Sequence, residues 1–287
     1  MSSFDLTASK FEHYRALPGG VPEAIRRAIR EFTGAQPSAR ILDLGAGSGR
    51  IGRAFVDAGD FYVGVDFSSS MLSEFRARNS AARLFQADGG NLPFPDGSFD
   101  LVLLMQVLSG ADNWRSLISE AMRVLVPGGF IVVGKTVTPS AGVDARMKKQ
   151  LKLTLQEMGA ASHDSQKSRE QSLEWLRAAS SRRMHLTPAS WTALRTAREF
   201  VDRHRTAARF SSLPPAVQEE ALKKVSDWAQ RNFGSLDKVF AEQHSYELHV
   251  FKIGSQSSSV TRKLKTDLPA ARPRTNGKSS QRPRAKG

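Results

Sequence analysis

The chain has 287 residues, 40% of them hydrophobic, with 16 Phe and no Cys. That is ample apolar material for a large core, and it excludes disulfides, thiolate metal sites and a cysteine nucleophile. The net charge of +14 is unevenly spread: 1–138 is neutral, 139–235 holds 17 Lys and Arg against 10 Asp and Glu (+7), and 255–287 holds 9 against 1 (+8).

No apolar run reaches the roughly 18 residues that a membrane helix needs. Met1-Ser2-Ser3-Phe4-Asp5 lacks a basic stretch followed by an apolar one, so a cytoplasmic protein is the expectation. The first forty residues read as two helical pieces. Pro22 opens the clearer one, with Ile25, Ile29 and Phe32 on one face and Gly34 just past its end. From Arg40 a strand–turn–helix pattern repeats. Strands are expected at 40–44, 61–66, 82–86, 99–105 and 129–135, and helices at about 50–58, 69–79 and 114–125. This alternation predicts right-handed crossovers and a parallel sheet covered on both faces.

After Val137 the pattern turns helical. Val143, Met147, Leu151, Leu155 and Met158 form one stripe, and a second helix is expected at about 168–179. A third is expected to open with Thr187 as N-cap and Pro188 in its first turn, carrying Trp191, Leu194, Phe200 and Val201. A fourth starts at Pro214-Pro215 and stops near Gly234. The chain then returns to strand in Val239–Gln243 and Tyr246–Ile253, a hairpin or one bent strand. In the tail, 255–287, the only large aliphatics are Val260, Leu264 and Leu268. Such a stretch cannot offset its ordering entropy and is expected to be disordered. A solubilising role is the plain reading; contact with nucleic acid, anionic lipid or an acidic partner is the other.

The chemistry lies at the strand ends. Ile41-Leu42-Asp43-Leu44 runs into Gly45-Ala46-Gly47-Ser48-Gly49-Arg50, a turn that lets a ligand approach the main chain. Asp66 ends the second strand, where a carboxylate can accept from both ribose hydroxyls. Asp88 follows the third, where it can accept from the exocyclic amine of adenine. Gln106 ends the fourth, at the floor of the same crevice.

These blocks resemble the class I S-adenosylmethionine-dependent methyltransferases, in their branch of small single-domain proteins. The matching stretches are ILDLGAGSGR (41–50), VGVDFSSSML (63–72), FQADGGNLPFPDGSFDLVLLMQVL (85–108) and RVLVPGGFIVV (123–133), with KFEHYRALP (10–18) and LDKVFAEQHSYELHVFKI (236–253) beside them. The resemblance implies a doubly wound, Rossmann-like, mostly parallel seven-stranded α/β sheet. It also implies an antiparallel last strand and a helical lid inserted after the fifth strand. The division is then a core at 1–138, a lid at 139–235, final strands at 236–254 and the basic tail at 255–287.

It further implies S-adenosylmethionine as cofactor. Gly45, Ala46 and Gly47 would lie against the methionine moiety, with Asp43 holding the turn and facing the amino group. Asp66 would bind the ribose, and Phe67 and Met71 would flank the sugar or adenine. Asp88 and the Gly89 backbone would take the adenine amine, and Gln106 would sit near the carboxylate or sulfonium. Tyr14 and Arg15 lie where the branch often folds an N-terminal helix over the cofactor.

A rival reading uses Gly47-Ser48-Gly49-Arg50-Ile51-Gly52 as a nicotinamide G-x-G-x-x-G with Asp66 19 residues on. The strand ends too early for it, before Gly45, and Arg50 takes the third glycine's place when counting starts there. A dehydrogenase also leaves the Ala87-Asp88 block without a purpose.

Asp100, Pro127-Gly128-Gly129 and the tryptophans Trp175, Trp191 and Trp228 read as structural. His13, His163, His185, His204, His244 and His249 show no metal-like spacing, so no metal is expected; His13 and His204 are possible bases. The catalytic residues stay unassigned, because methyl transfer from a sulfonium asks mainly for alignment. A base is needed only if the acceptor loses a proton. Met105-Gln106-Val107-Leu108 lacks the Asp/Asn-Pro-Pro-aromatic motif of the amino-methylating DNA enzymes. The leading expectation is a small-molecule acceptor. An RNA or ribosome-associated substrate held by the basic lid and tail is the second, and a catalytically silent cofactor-binding protein the third.

Overall fold

A computed structural model describes residues 16–108, 113–160, 165–205, 210 and 212–254. The expectations for the first helical piece, His13, Tyr14, Arg15, His163 and the tail lie outside the described residues. The elements run α1 (Val21–Thr33), β1 (Arg40–Leu44), α2 (Gly52–Asp57), β2 (Phe61–Asp66), α3 (Ser69–Arg78), β3 (Arg83–Gln86) and β4 (Phe99–Met105). They continue through α4 (Trp114–Val124), β5 (Leu125–Val137), α5 (Val143–Glu157), α6 (Ser165–Ala179), β6 (Ser180–Arg195), α7 (Ala197–Arg205), α8 (Pro215–Phe233) and β7 (Phe240–Ile253).

The seven strands form one sheet in the order β3-β2-β1-β4-β5-β7-β6. β1 to β5 pair in parallel, whereas β7 is antiparallel to both β5 and β6. The central strands are buried on both faces, as a parallel sheet demands: Ile41, Leu42, Val102, Leu103, Leu104, Ile131 and Val132 are each fully buried. One face packs against α1, α2 and Phe75 of α3; the other packs against α4 and α6 through Ile118, Ala121, Leu173 and Leu176. Asp100 pairs with Arg40 at the far ends of β1 and β4, the structural role its position suggests. β5 starts at Leu125, before the expected 129: Leu125 faces Phe99 and the register shifts around Pro127-Gly128-Gly129.

The third expected helix is the main correction. Residues 180–195 form strand β6, and the helix begins only at Ala197. Thr187-Pro188 looks like a helix start, yet Pro188 lies in the register shift between Leu186 and Ala189 of an edge strand. Proline is tolerated there because the ladder does not use its missing N–H. The true start is a capping box: the Glu199 amide donates to Thr196 Oγ1 (3.1 Å) and the Thr196 amide donates to Glu199 Oε2 (3.2 Å).

The stretch expected as one helical lid therefore divides. α6 and β6 join the sheet, while α5, α7 and α8 bury Met147, Phe200, Val201, Leu222 and Val225 in a cluster of their own. The second β stretch is a single strand, β7. β5 ends at Val137 opposite Ser245, so Phe240–His244 of β7 and Trp191–Arg195 of β6 pair only with each other. This two-stranded ribbon rises past the carboxyl edge of the parallel strands and carries the lid cluster.

Candidate functional site

The glycine turn leaves β1 and bends back over β2. The amides of Gly45 and Ala46 both donate to Val65 O (2.8 and 3.0 Å), which fixes the turn over the neighbouring strand end. Gly45 has φ +81°, and a Cβ there would lie 2.9 Å from Val107 Cγ2, so only glycine fits. The Gly47 amide donates to Asp66 Oδ2 (2.9 Å) and the Ser68 amide to Asp66 Oδ1 (2.9 Å). With amides of Gly47, Ser68 and Phe67 donating to it, the Asp66 carboxylate still has acceptor capacity for an outside donor. Burial raises the Asp66 pKa, offset in part by the amides of Ser68, Gly47 and Phe67.

Asp43 lies beneath the turn and is 2% exposed. The Tyr62 hydroxyl donates to its Oδ2 (2.7 Å), while Oδ1 is buried without a partner among the described residues. Burial pushes the Asp43 carboxyl up to about 7; the Tyr62 hydrogen bond opposes this, and the nearby Asp66 charge adds to it. Among the described residues Asp43 Oδ1 lacks a donor, which an ammonium reaching that oxygen would supply.

Gln106 ends β4 with φ +61°, the one non-glycine residue with positive φ among those described. Its amide donates to Gly134 O (2.8 Å) and its side chain Nε2 donates to Thr136 Oγ1 (2.9 Å), so β5 holds the strained residue. Strained backbone of this kind concentrates at functional sites. Behind it, the buried Tyr246 hydroxyl meets Met105 Sδ at 3.6 Å, and burial raises its pKa while Arg50 and Gln106 pull it down.

Asp88 is exposed, and its Oδ1 accepts from the Gly90 amide (2.9 Å). A Cβ on Gly89 would fall 2.8 Å from Leu44 Cδ2, so that turn sits tight against β1. Phe67 is 54% exposed beside Asp66, whereas Met71 is 5% exposed, with its Cε 3.4 Å from where a Gly47 Cβ would be. Met71 therefore packs against the glycine turn at Gly47. The other nine residues expected at the site, from Asp43 to Gln106, gather along the ends of β1, β2, β3 and β4.

Sequence reading did not find Tyr62, Thr136 or Tyr246, whose partners lie 19 to 141 residues away. His204 stacks on Phe200 (3.8 Å) and its Nδ1 bonds Phe200 O (2.9 Å), which engages it within the lid. His185, Glu247 and His249, not expected to combine, bring ligand-type atoms within 4.8 Å of one another on β6 and β7. Lys135 lies 3.9 Å from the same Glu247, and burial with nearby His185, Arg169 and Arg177 pushes His249 down to about 4, surroundings that oppose an added cation. Among the described residues no helix is long and apolar enough to cross a membrane.

Known proteins point the same way. Residues 42–133 match the family described as "Methyltransferase domain". The demethylmenaquinone methyltransferase of Beutenbergia cavernae is 38% identical over 120 residues, 42% of this chain and 50% of the relative. That of Renibacterium salmoninarum is 34% identical over 140 residues, 48% of this chain and 59% of the relative. The chain thus spans about half the length of the relatives it matches. In fold it is similar to the YcgJ protein of Bacillus subtilis (TM-score 0.51, 18% identity, 79% of this chain and 98% of that one). It is similar also to a SAM-dependent methyltransferase of Thermotoga maritima (TM-score 0.50, 18% identity, 87% and 98%). The glycine turn tied to Asp66 and the orphaned acid beneath it both fall within the matched stretch, which covers β1 to most of β5 and is similar to a methyltransferase domain.

Proposed function

We propose that the protein transfers a methyl group from S-adenosylmethionine to a small-molecule acceptor. The observation that carries this reading is the buried Asp43 Oδ1, unpaired under a turn whose amides are already committed to Val65 and Asp66. The cofactor, when bound, supplies a methyl group on a sulfonium, which leaves as a neutral thioether. Asp43 holds its ammonium, aided by the Tyr62 hydroxyl, while Gly45, Ala46 and Gly47 line its methionine part. Asp66 accepts from the ribose hydroxyls, and Phe67 covers the sugar from the solvent side. Met71 supports the turn from below. Asp88 and the Gly89 backbone take the adenine amine, and Gln106, held by Thr136, orients the methionine carboxylate.

This arrangement works by placement. Holding acceptor and methyl in line is worth several orders of magnitude in rate without any acid or base. The lid cluster of α5, α7 and α8, raised on the ribbon, shapes the acceptor side and excludes water. Relatives named for demethylmenaquinone support an acceptor of small-molecule size. Several cations of the lid are already paired, Arg203 and Arg195 with Asp144 and Arg198 with Asp237, which argues against a bare basic surface for nucleic acid.

The test is incubation with methyl-labelled S-adenosylmethionine and fractionated cell extract. Label in a solvent-extractable small-molecule fraction is expected. Label in RNA would overturn the acceptor class, and no label with any fraction would overturn the activity.

A further inference from the structure

The ribbon carries a buried polar pair that the cofactor cradle does not use. His244 is 2% exposed and Glu242 6%. His244 Nε2 lies 3.2 Å from Glu242 Oε2, and Glu242 Oε1 accepts from the Val143 amide, the first residue of α5. A Cβ on Gly142 would fall 2.7–2.8 Å from that carboxylate, so the glycine leaves the notch it fills. The positive end of the 15-residue α5 complements the charge of Glu242.

The tautomer follows from these contacts. In the neutral ring, a carboxylate oxygen as partner places the hydrogen on Nε2 and leaves Nδ1 with a bare lone pair. That Nδ1 is buried and has no partner among the described residues. Buried acceptors are nearly always paired, so this one marks where a donor belongs.

Its place in the fold says which donor. His244 shares a face of β7 with Tyr246, two residues along, or about 7 Å. The Tyr246 hydroxyl touches Met105 Sδ, next to Gln106 at the end of β4. His244 therefore stands just past the carboxyl edge, between the cofactor cradle and the root of the lid. Trp191, its partner across the ribbon, packs its partly buried ring against the imidazole at a steep angle (6.0 Å, 64°), an apolar aromatic neighbour beside a single polar atom.

We infer that His244 is an acceptor-binding residue, positioned by Glu242, whose Nδ1 receives the hydroxyl of a flat aromatic acceptor, a phenol or hydroquinone. The inference rests on the methyltransferase reading. As the acceptor oxygen forms its bond to the methyl carbon, the carbon–sulfur bond breaks with its electron pair left on sulfur. The hydroxyl proton passes to Nδ1, and Glu242 stabilises the imidazolium.

The test uses the full chain loaded with S-adenosylhomocysteine and 1-naphthol as probe. Histidine ¹⁵N NMR of the unmodified protein should give His244 as the Nε2–H tautomer, with an Nδ1 resonance that moves on adding naphthol. His244→Gln should weaken naphthol binding on the order of ten-fold, while affinity for S-adenosylhomocysteine changes less than about two-fold. Glu242→Gln should shift the tautomer balance with the cofactor affinity kept. An Nδ1–H tautomer, an Nδ1 resonance indifferent to naphthol, no naphthol binding, or undiminished binding in His244→Gln would each overturn the assignment. Failure of the unmodified chain to bind S-adenosylhomocysteine, read before naphthol is added, would sink the cofactor reading and this inference with it.

Discussion

The cradle at the ends of β1, β2 and β4 and the ribbon of β6 and β7 border the same edge, yet they are specified in different ways. The cradle is assembled from short-range instructions: a glycine turn, an acid ending the next strand, and amides two to nineteen residues away. The ribbon depends on long-range ones, such as Glu242 bonding Val143 at a separation of 99 residues. The cradle suits a fixed cofactor; the ribbon and the lid it carries can vary with the acceptor while the cradle stays as it is. Loops and insertions on a rigid scaffold commonly carry specificity in this way.

This contrast can be broken by experiment. The largest effect is expected in the lid. Phe200 is 1% exposed within the α5, α7, α8 cluster, and Phe200→Ala should cost about 3–5 kcal/mol of local stability. Hydrogen exchange should rise in those three helices, with affinity for S-adenosylhomocysteine kept within a few-fold. Loss of cofactor binding in that variant would show that the two regions are one unit.

Next comes Asp43, where the cradle stores its electrostatic cost. Its folded pKa of about 7 stands above the ordinary 3.8, so between these values the folded chain holds a proton that the unfolded chain has released. Stability therefore falls as pH rises through that window, and the penalty is complete above about 7. Asp43→Asn should raise Tm over the unmodified protein by more at pH 8 than at pH 5, and weaken S-adenosylhomocysteine at both. A Tm gap independent of pH would contradict the assignment of the penalty to this carboxyl. Cofactor binding near pH 6.5 should also release a proton, visible in calorimetry as heats that vary with the buffer.

The smallest effect concerns Gln106. Gln106→Gly relieves a left-handed backbone on the order of 1 kcal/mol and removes the side chain that meets Thr136. Tm should rise slightly while cofactor affinity falls. A fall in both would mean that the side chain matters more to the fold than the strain does.

How far the sequence could be read follows the same division. β1, β2, β4 and their turns were legible because hydrophobic runs, glycines and strand-end acids lie within one or two elements of each other. β6 was not, because Thr187-Pro188 imitates a helix start, and only the bulge between Leu186 and Ala189 reveals why proline is accepted there. The real signal, Thr196 and Glu199 three residues apart, was present but overshadowed. His244 and Glu242 could not be paired from spacing, since alternation on a strand gives a shared face but not the arrival of α5 above it.

The central claim is that Asp66 and the glycine turn form the S-adenosylmethionine cradle. Titration calorimetry of S-adenosylhomocysteine against the intact chain and against Asp66→Ala tests it directly. Binding by the intact chain, weakened at least about a hundred-fold in the variant by loss of charged hydrogen bonds, is the predicted result. No binding by the intact chain, or equal binding by both, would contradict it.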